Sequence, residues 1–288
     1  MALLLNLCLA LHAAALMAWF GALSLRRVLG AGQGAGEIRF LQLAGALALL
    51  SGVLWPCLQA GVLGDAPAAA WDPAQVAVIL TQTSFGRIWL MREALIALAA
   101  LATLLPLLGI GRGVYFLVAA ALASLALLGH AAGATGADGL AQRLTYAVHL
   151  LAAGAWVGAL PALFVLAGRL DARDLVRVLR RFSRYGLFLV AFVLASGAAG
   201  AWYRTGSWAA LSTGDYAQIL VIKIALVAGM GLCALANRNR YTPRLAQADP
   251  FVQAGGRAGL RRSIGCELLL GLAAITAAAW LGAAEAPR

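Results

Sequence analysis

The sequence predicts an all-α, polytopic membrane protein. Three observations carry that reading: an apolar composition, eight apolar segments of spanning length, and arginines gathered in alternate connections. Hydrophobic residues make up 63% of the 288 and charged residues only 11%, against roughly 25% charged in a soluble domain. Mean hydropathy is +0.87. A spanning helix needs about 20 apolar residues to cross a hydrocarbon core about 30 Å thick. Backbone polar groups must be satisfied internally in lipid, so such segments are helices rather than open strands.

The eight segments, in chain order, are 2–25, 40–63, 87–110, 113–133, 142–168, 182–203, 216–236 and 263–283. The first has no basic leader or small-residue cleavage site and is expected to be retained. Between the first and second lie Arg26, Arg27 and Arg39, and between the third and fourth Arg112. Arg169, Arg173, Arg177, Arg180, Arg181 and Arg184 flank the connection from fifth to sixth. Arg238, Arg240, Arg244, Arg257, Arg261 and Arg262 flank that from seventh to eighth. These connections hold 16 of the 22 basic residues, which assigns them to the cytoplasm and both termini to the periplasm. The net charge of +11 is thereby a topology signal, and nucleic-acid binding is not expected. Stretch 64–86 is predicted to lie on the surface or dip into it. Stretch 169–181, with arginines between Leu170, Leu175, Val178 and Leu179, reads as a separate interfacial helix.

The chain also repeats itself. Segment 1 contains His12, Trp19 and Gly21 in LHAAALMAWFGAL, and segment 5 contains His149, Trp156 and Gly158 at the same spacing in VHLLAAGAWVGAL. Segments 3 and 7 correspond through Thr81, Phe85, Ile88 and Arg92 against Thr213, Tyr216, Ile219 and Lys223. Segments 2 and 6 share only a leading Arg-Phe and a later Ser-Gly. Four helices separate the copies, so both halves cross in the same direction: a parallel 4+4 repeat, residues 1–137 and 138–288, within one membrane domain.

Ionisable groups inside a membrane are costly and mark candidate sites. His12 lies roughly 15 Å and His149 roughly 12 Å below the outer surface, at 1.5 Å per residue. Their equivalent positions place them across the repeat axis from each other, and His130 stands at the outer mouth. Imidazole serves as metal ligand, haem ligand or proton carrier, and equally as a structural hydrogen-bonding group. Cys8, one helical turn from His12, with Met17 and Cys57, adds soft donors suited to Cu(I), while imidazoles alone also accept Cu(II). Four cysteines make no disulfide framework, and buried thiols otherwise behave as small hydrophobes. Lys223, the only lysine, and its repeat partner Arg92, beside Glu93, either snorkel or order an outer vestibule. Glu267 is expected to pair with an inner arginine or to serve a cytoplasmic exit. Trp19 and Trp156, with Gly21 and Gly158, read as packing pairs at the crossing of helices 1 and 5 or as a gate below the site. No nucleotide loop, HExxH or GxSxG pattern is present, and no enzymatic activity is expected.

The run from His149 to Gly158 resembles the histidine–tryptophan–glycine helix of the CopD family. Arg181-Phe182-Ser183, Ser196-Gly197, Tyr216…Lys223, Asn237-Arg238, Pro243-Arg244-Leu245, Arg262-Ser263…Glu267 and Gly129-His130-Ala131 extend the resemblance. It covers about 140–285 and implies an inner-membrane copper-resistance or copper-uptake protein. It also implies a small periplasmic CopC-like copper-binding partner. The expected cargo is a copper ion, Cu(I) or Cu(II), passed across the membrane. The alternatives are a membrane haemoprotein with His12 and His149 as axial ligands, and a copper chaperone or sensor that does not transport.

Overall fold

The computed structural model describes residues 1–29, 35–105, 111–128, 136–206 and 214–283, and every regular element among them is helical. In order these are α1 (Ala2–Leu29), α2 (Ala35–Leu63), a 3-10 turn (Pro67–Trp71), α3 (Pro73–Gln82), α4 (Ser84–Leu104) and α5 (Arg112–Ala123), which runs into a second 3-10 turn (Ser124–Leu127). There follow α6 (Gly136–Val157), α7 (Leu160–Arg169), α8 (Ala172–Thr205), α9 (Gly214–Ala236), a π turn (Asn237–Tyr241), α10 (Thr242–Leu245) and α11 (Pro250–Ala283). Six helical stretches among the described residues are long and apolar enough to cross a membrane: Ala2–Leu29, Gly36–Leu63, Gly136–Arg169, Ala172–Thr205, Tyr216–Leu245 and Pro250–Leu281. The two other expected spans are present as helices of a different character. α4 carries Arg87, Arg92 and Glu93 within its 21 residues, and Arg112–Leu127 is apolar but short.

Side-chain caps punctuate the chain. Asp72 accepts from the Ala74 N–H at 2.9 Å to open α3, and Thr83 accepts from the Gly86 N–H at 3.1 Å to open α4. Stretch 64–86 is therefore two short helical pieces. The Asp171 carboxylate accepts from the Asp174 N–H at 2.8 Å and opens α8. No proline lies between there and Gly206, whose left-handed φ of 67° ends the helix. The expected interfacial helix and sixth span are consequently one continuous 34-residue helix, with Leu175, Val178 and Leu179 buried at its start. α11 likewise begins at Pro250, well before the expected 263. The expected fifth span is interrupted: α6 stops at Val157 and Pro161 starts α7 afresh.

α1 is the centre of the assembly, packing on α2, α5, α6, α7, α8 and α11. It meets α6 at glycine. A methyl group on Gly154 would come within 3.5 Å of Met17 Cγ and 3.3 Å of Phe20 Cδ1. Four residues on, one on Gly158 would fall on the Met17 carbonyl, and one on Gly21 would fall on the Gly158 backbone. The contacts advance together along both chains, so α1 and α6 run parallel and touch backbone to backbone. The expected crossing is there. The tryptophans are placed otherwise: Trp19 lies on Gly45 of α2, and Trp156 reaches α11.

Candidate functional site

His12 is 1% exposed and held on α1 against α2. Its Nδ1 lies 3.1 Å from the Ala48 carbonyl and 3.1 Å from Ser51 Oγ. A carbonyl only accepts, so Nδ1 carries the proton and donates. Ser51 spends its own hydrogen on the Leu47 carbonyl at 2.6 Å, one turn back, and its oxygen therefore accepts from the ring. The tautomer follows from these partners: Nε2 bears the lone pair, and it is buried with no hydrogen-bond partner in the protein.

The same event occurs in the second half. His149 Nδ1 lies 3.0 Å from Ser196 Oγ, while Ser196 donates through a short contact to the Phe192 carbonyl, again one turn back. Nδ1 is the donor here too, leaving the Nε2 lone pair. Gly197 faces the half-buried ring, with room for a methyl group 3.6 Å from Cε1. Sequence reasoning passed over these two serines as functional groups. The signal was the Ser-Gly dipeptide shared by α2 and α8, at Ser51-Gly52 and Ser196-Gly197.

Each pocket also has a cation on a further helix. Arg92 of α4 acts electrostatically on His12, and Lys223 of α9 on His149. Arg92 is fully buried, its guanidinium 4.6 Å from the centre of the Trp55 ring and its Nε 4.0 Å from Glu93 Oε1. Trp55 stands edge-on to His12, with ring centroids 5.7 Å apart. Gly52 leaves space for Glu93, because a methyl group there would strike the carboxylate. The Gly52 carbonyl also accepts from Trp89 Nε1 at 2.8 Å. Lys223 has Ile224 where Arg92 has Glu93.

The remaining expected residues distribute unevenly. Cys8 Sγ donates to the Ser51 carbonyl at 3.3 Å, one turn from His12 on the same face. Cys57 Sγ points to its own helix, 3.7 Å from the Val53 carbonyl. Met17 is buried in the α1–α6 crossing. His130 lies outside the described residues. His12 and His149 bond to different helices, α2 and α8, so their described contacts build one pocket in each half rather than a shared cage between halves. Among the described residues no three His, Cys, Asp or Glu side chains gather as a metal-holding group. Glu267 is 2% exposed, and among the described residues it forms no ion pair with an inner arginine. Its two oxygens accept from Trp156 Nε1 at 3.1 Å and Asn237 Nδ2 at 3.2 Å. The π turn that follows α9 begins at Asn237.

Comparison with known proteins gives this arrangement a context. A sequence model of the family described as copper resistance protein D matches residues 176–281. One described as copper resistance protein D-like, N-terminal domain, matches residues 1–141. The chain is 33% identical over 239 residues to Inner membrane protein YebZ of Escherichia coli (strain K12), covering 81% of this chain and 79% of that protein. It is 31% identical over 286 residues to Copper resistance protein D of Pseudomonas syringae pv. tomato, covering 92% and 90%. No solved structure matches.

Proposed function

The chain belongs to the copper resistance protein D family, and we propose that it passes copper across the inner membrane using His12 and His149 as ligands. One observation carries the reading. In both halves a serine on the neighbouring helix holds imidazole Nδ1 as a donor and leaves Nε2 as a lone pair. Metal-binding histidines are oriented by this kind of second hydrogen bond, and it raises their basicity as ligands. Imidazole suits copper in either oxidation state, and the Cys8 thiol beside His12 adds a soft donor that favours Cu(I). Arg92 and Lys223 lie beside the ligands, where like charge weakens cation binding. Weak stations suit passage, since an ion that is held too tightly does not leave.

In this reading the eight helices form two parallel halves, 1–137 and 138–288, with both termini in the periplasm. Copper comes from a periplasmic CopC-like protein, passes His130 and rests in the histidine pockets. The protein's work is binding and transfer within lipid; no bond-making reaction is assigned to it. The test is metal analysis and an absorption spectrum of purified wild type and a His12→Ala/His149→Ala variant. Copper in the wild type and its loss in the variant support the proposal. Equal copper in both overturns it, and a Soret band assigns the imidazoles to haem instead.

A further inference from the structure

We propose that Cys233 and Cys266 form a dithiol site for Cu(I) at the arginine-rich end of the second half; the inference rests on the copper reading above. α9 and α11 pack against each other, and contacts around the two cysteines set an antiparallel register. A methyl group on Gly229 would lie 3.1 Å from Leu270 Cδ1. One turn forward on α9 and one turn back on α11 sets Cys233 opposite Cys266, close enough for the two thiols to act on each other electrostatically. Ser263 Oγ donates to the Cys233 carbonyl at 3.3 Å, and Asn237 Nδ2 donates to Glu267 at 3.2 Å. The two sulfurs are thus held at one level by packing of Gly229 on Leu270 to one side and by these two hydrogen bonds to the other. Both cysteines are free, Cys233 half-buried and Cys266 exposed, and they lie within about one and a half helical turns of Arg238 and Arg262, so an ion can reach them from the arginine-rich end.

Donor chemistry selects the ion. Thiolates are soft and favour Cu(I), a closed-shell cation that two sulfurs can satisfy. Zinc and other borderline divalent ions require further ligands. No third His, Cys, Asp or Glu joins the pair among the described residues. The nearest carboxylate, Glu267, acts on Cys233 electrostatically but already accepts from Trp156 and Asn237. Binding replaces both S–H bonds by S–Cu bonds and releases two protons to water; copper stays Cu(I) and no electrons move. Along α9 the site lies ten residues beyond Lys223, ~15 Å at 1.5 Å per residue. It therefore follows the His149 pocket as a second station, reached along the helix that carries Lys223.

The test uses the full chain in detergent under reducing, anaerobic conditions. Dibromobimane, which links two thiols only when they are adjacent, should give a bridged peptide pair containing Cys233 and Cys266. Prior addition of one equivalent of Cu(I), or of Ag(I) as its redox-inert stand-in, should block the bridge. Competition with a chromophoric Cu(I) chelator should show Cys233→Ser/Cys266→Ser short by one equivalent, while His12→Ala/His149→Ala keeps that equivalent. The exposed position makes Cys266→Ser alone a second variant that should show the same loss. Absence of the bridged pair overturns the geometry, and an unchanged Cu(I) count in both cysteine variants overturns the site. Copper lost only from the histidine variant leaves the histidine reading standing without the dithiol. Copper lost only from the cysteine variants does the reverse.

Discussion

Replacing Gly158 by alanine tests the α1–α6 crossing on which both pockets are built. The added methyl group falls on the Met17 carbonyl and also meets the Gly154 carbonyl. Both obstacles are backbone, so no side chain can swing aside and the helices themselves must part. A radial gap of about 0.5–1 Å forfeits a quarter to a half of each contact's attraction, and overpacking a tight core costs about 1–3 kcal/mol. With backbone on both sides the upper end applies, so Gly158→Ala should lower stability by about 3 kcal/mol. Gly21→Ala meets the Gly158 backbone in the same crossing and should cost about as much. One separation of the helices relieves both clashes, so the double variant should cost clearly less than the two together. Gly186→Ala on α8 is the control. It has nothing within 4 Å of the new methyl group and should be neutral or stabilising by about 0.5–1 kcal/mol. The assay is thermal unfolding in detergent, followed by tryptophan fluorescence. Gly158→Ala melting with the wild type, or below it by no more than Gly186→Ala, refutes the close crossing.

Three further outcomes follow from the pockets. Glu93→Gln leaves the buried Arg92 without its counter-charge; at 4.0 Å and an effective dielectric near 20 the lost attraction is about 4 kcal/mol. That variant should unfold at markedly lower temperature, and Arg92→Met/Glu93→Leu should recover much of the loss by removing both charges. Ser196→Ala keeps the His149 imidazole but removes the hydroxyl that accepts from it, and should weaken copper affinity about 10–100-fold in chelator competition; Ser51→Ala leaves His12 the Ala48 carbonyl as acceptor and should weaken it less, and unchanged affinity in both means the serines do not present the ligands. Copper occupancy should fall as pH is lowered, because a proton on Nε2 takes the lone pair that copper needs. Ordinary imidazoles titrate near 6.5, and occupancy that rises on acidification contradicts imidazole ligation.

Much of the fold was legible because lipid imposes a coarse code. Long apolar runs must be helices, and the repeated His12/Trp19/Gly21 and His149/Trp156/Gly158 spacing pointed to the crossing that Gly21 and Gly158 make. Helix ends were less legible where arginines lay inside helices. The stretch at the start of α8 looked interfacial by composition, yet helical hydrogen bonding continues through it and buries Leu175 and Val178 against protein. Composition reports polarity, and a helix extending past the apolar core has the same polarity as one lying on its surface. The histidines were found because buried titratable groups are rare in such a chain. Their orientation was not, because it depends on Ser51 and Ser196 of neighbouring helices, and a serine in an apolar helix usually bonds its own backbone. These two do that and also accept from a ring. The partners of Glu267 were missed for a related reason: charge pairing suggests arginine, whereas an indole N–H and an amide reach it first.

Copper flux into proteoliposomes is the measurement closest to the central claim. Wild type and His12→Ala/His149→Ala, reconstituted at equal density and shown to be folded by their melting curves, are compared under one copper gradient. Flux through the wild type with the double variant reduced to the leak of empty vesicles is the expected result. Undiminished flux through the double variant would contradict the account, since copper would then cross without the imidazoles that the two serines present.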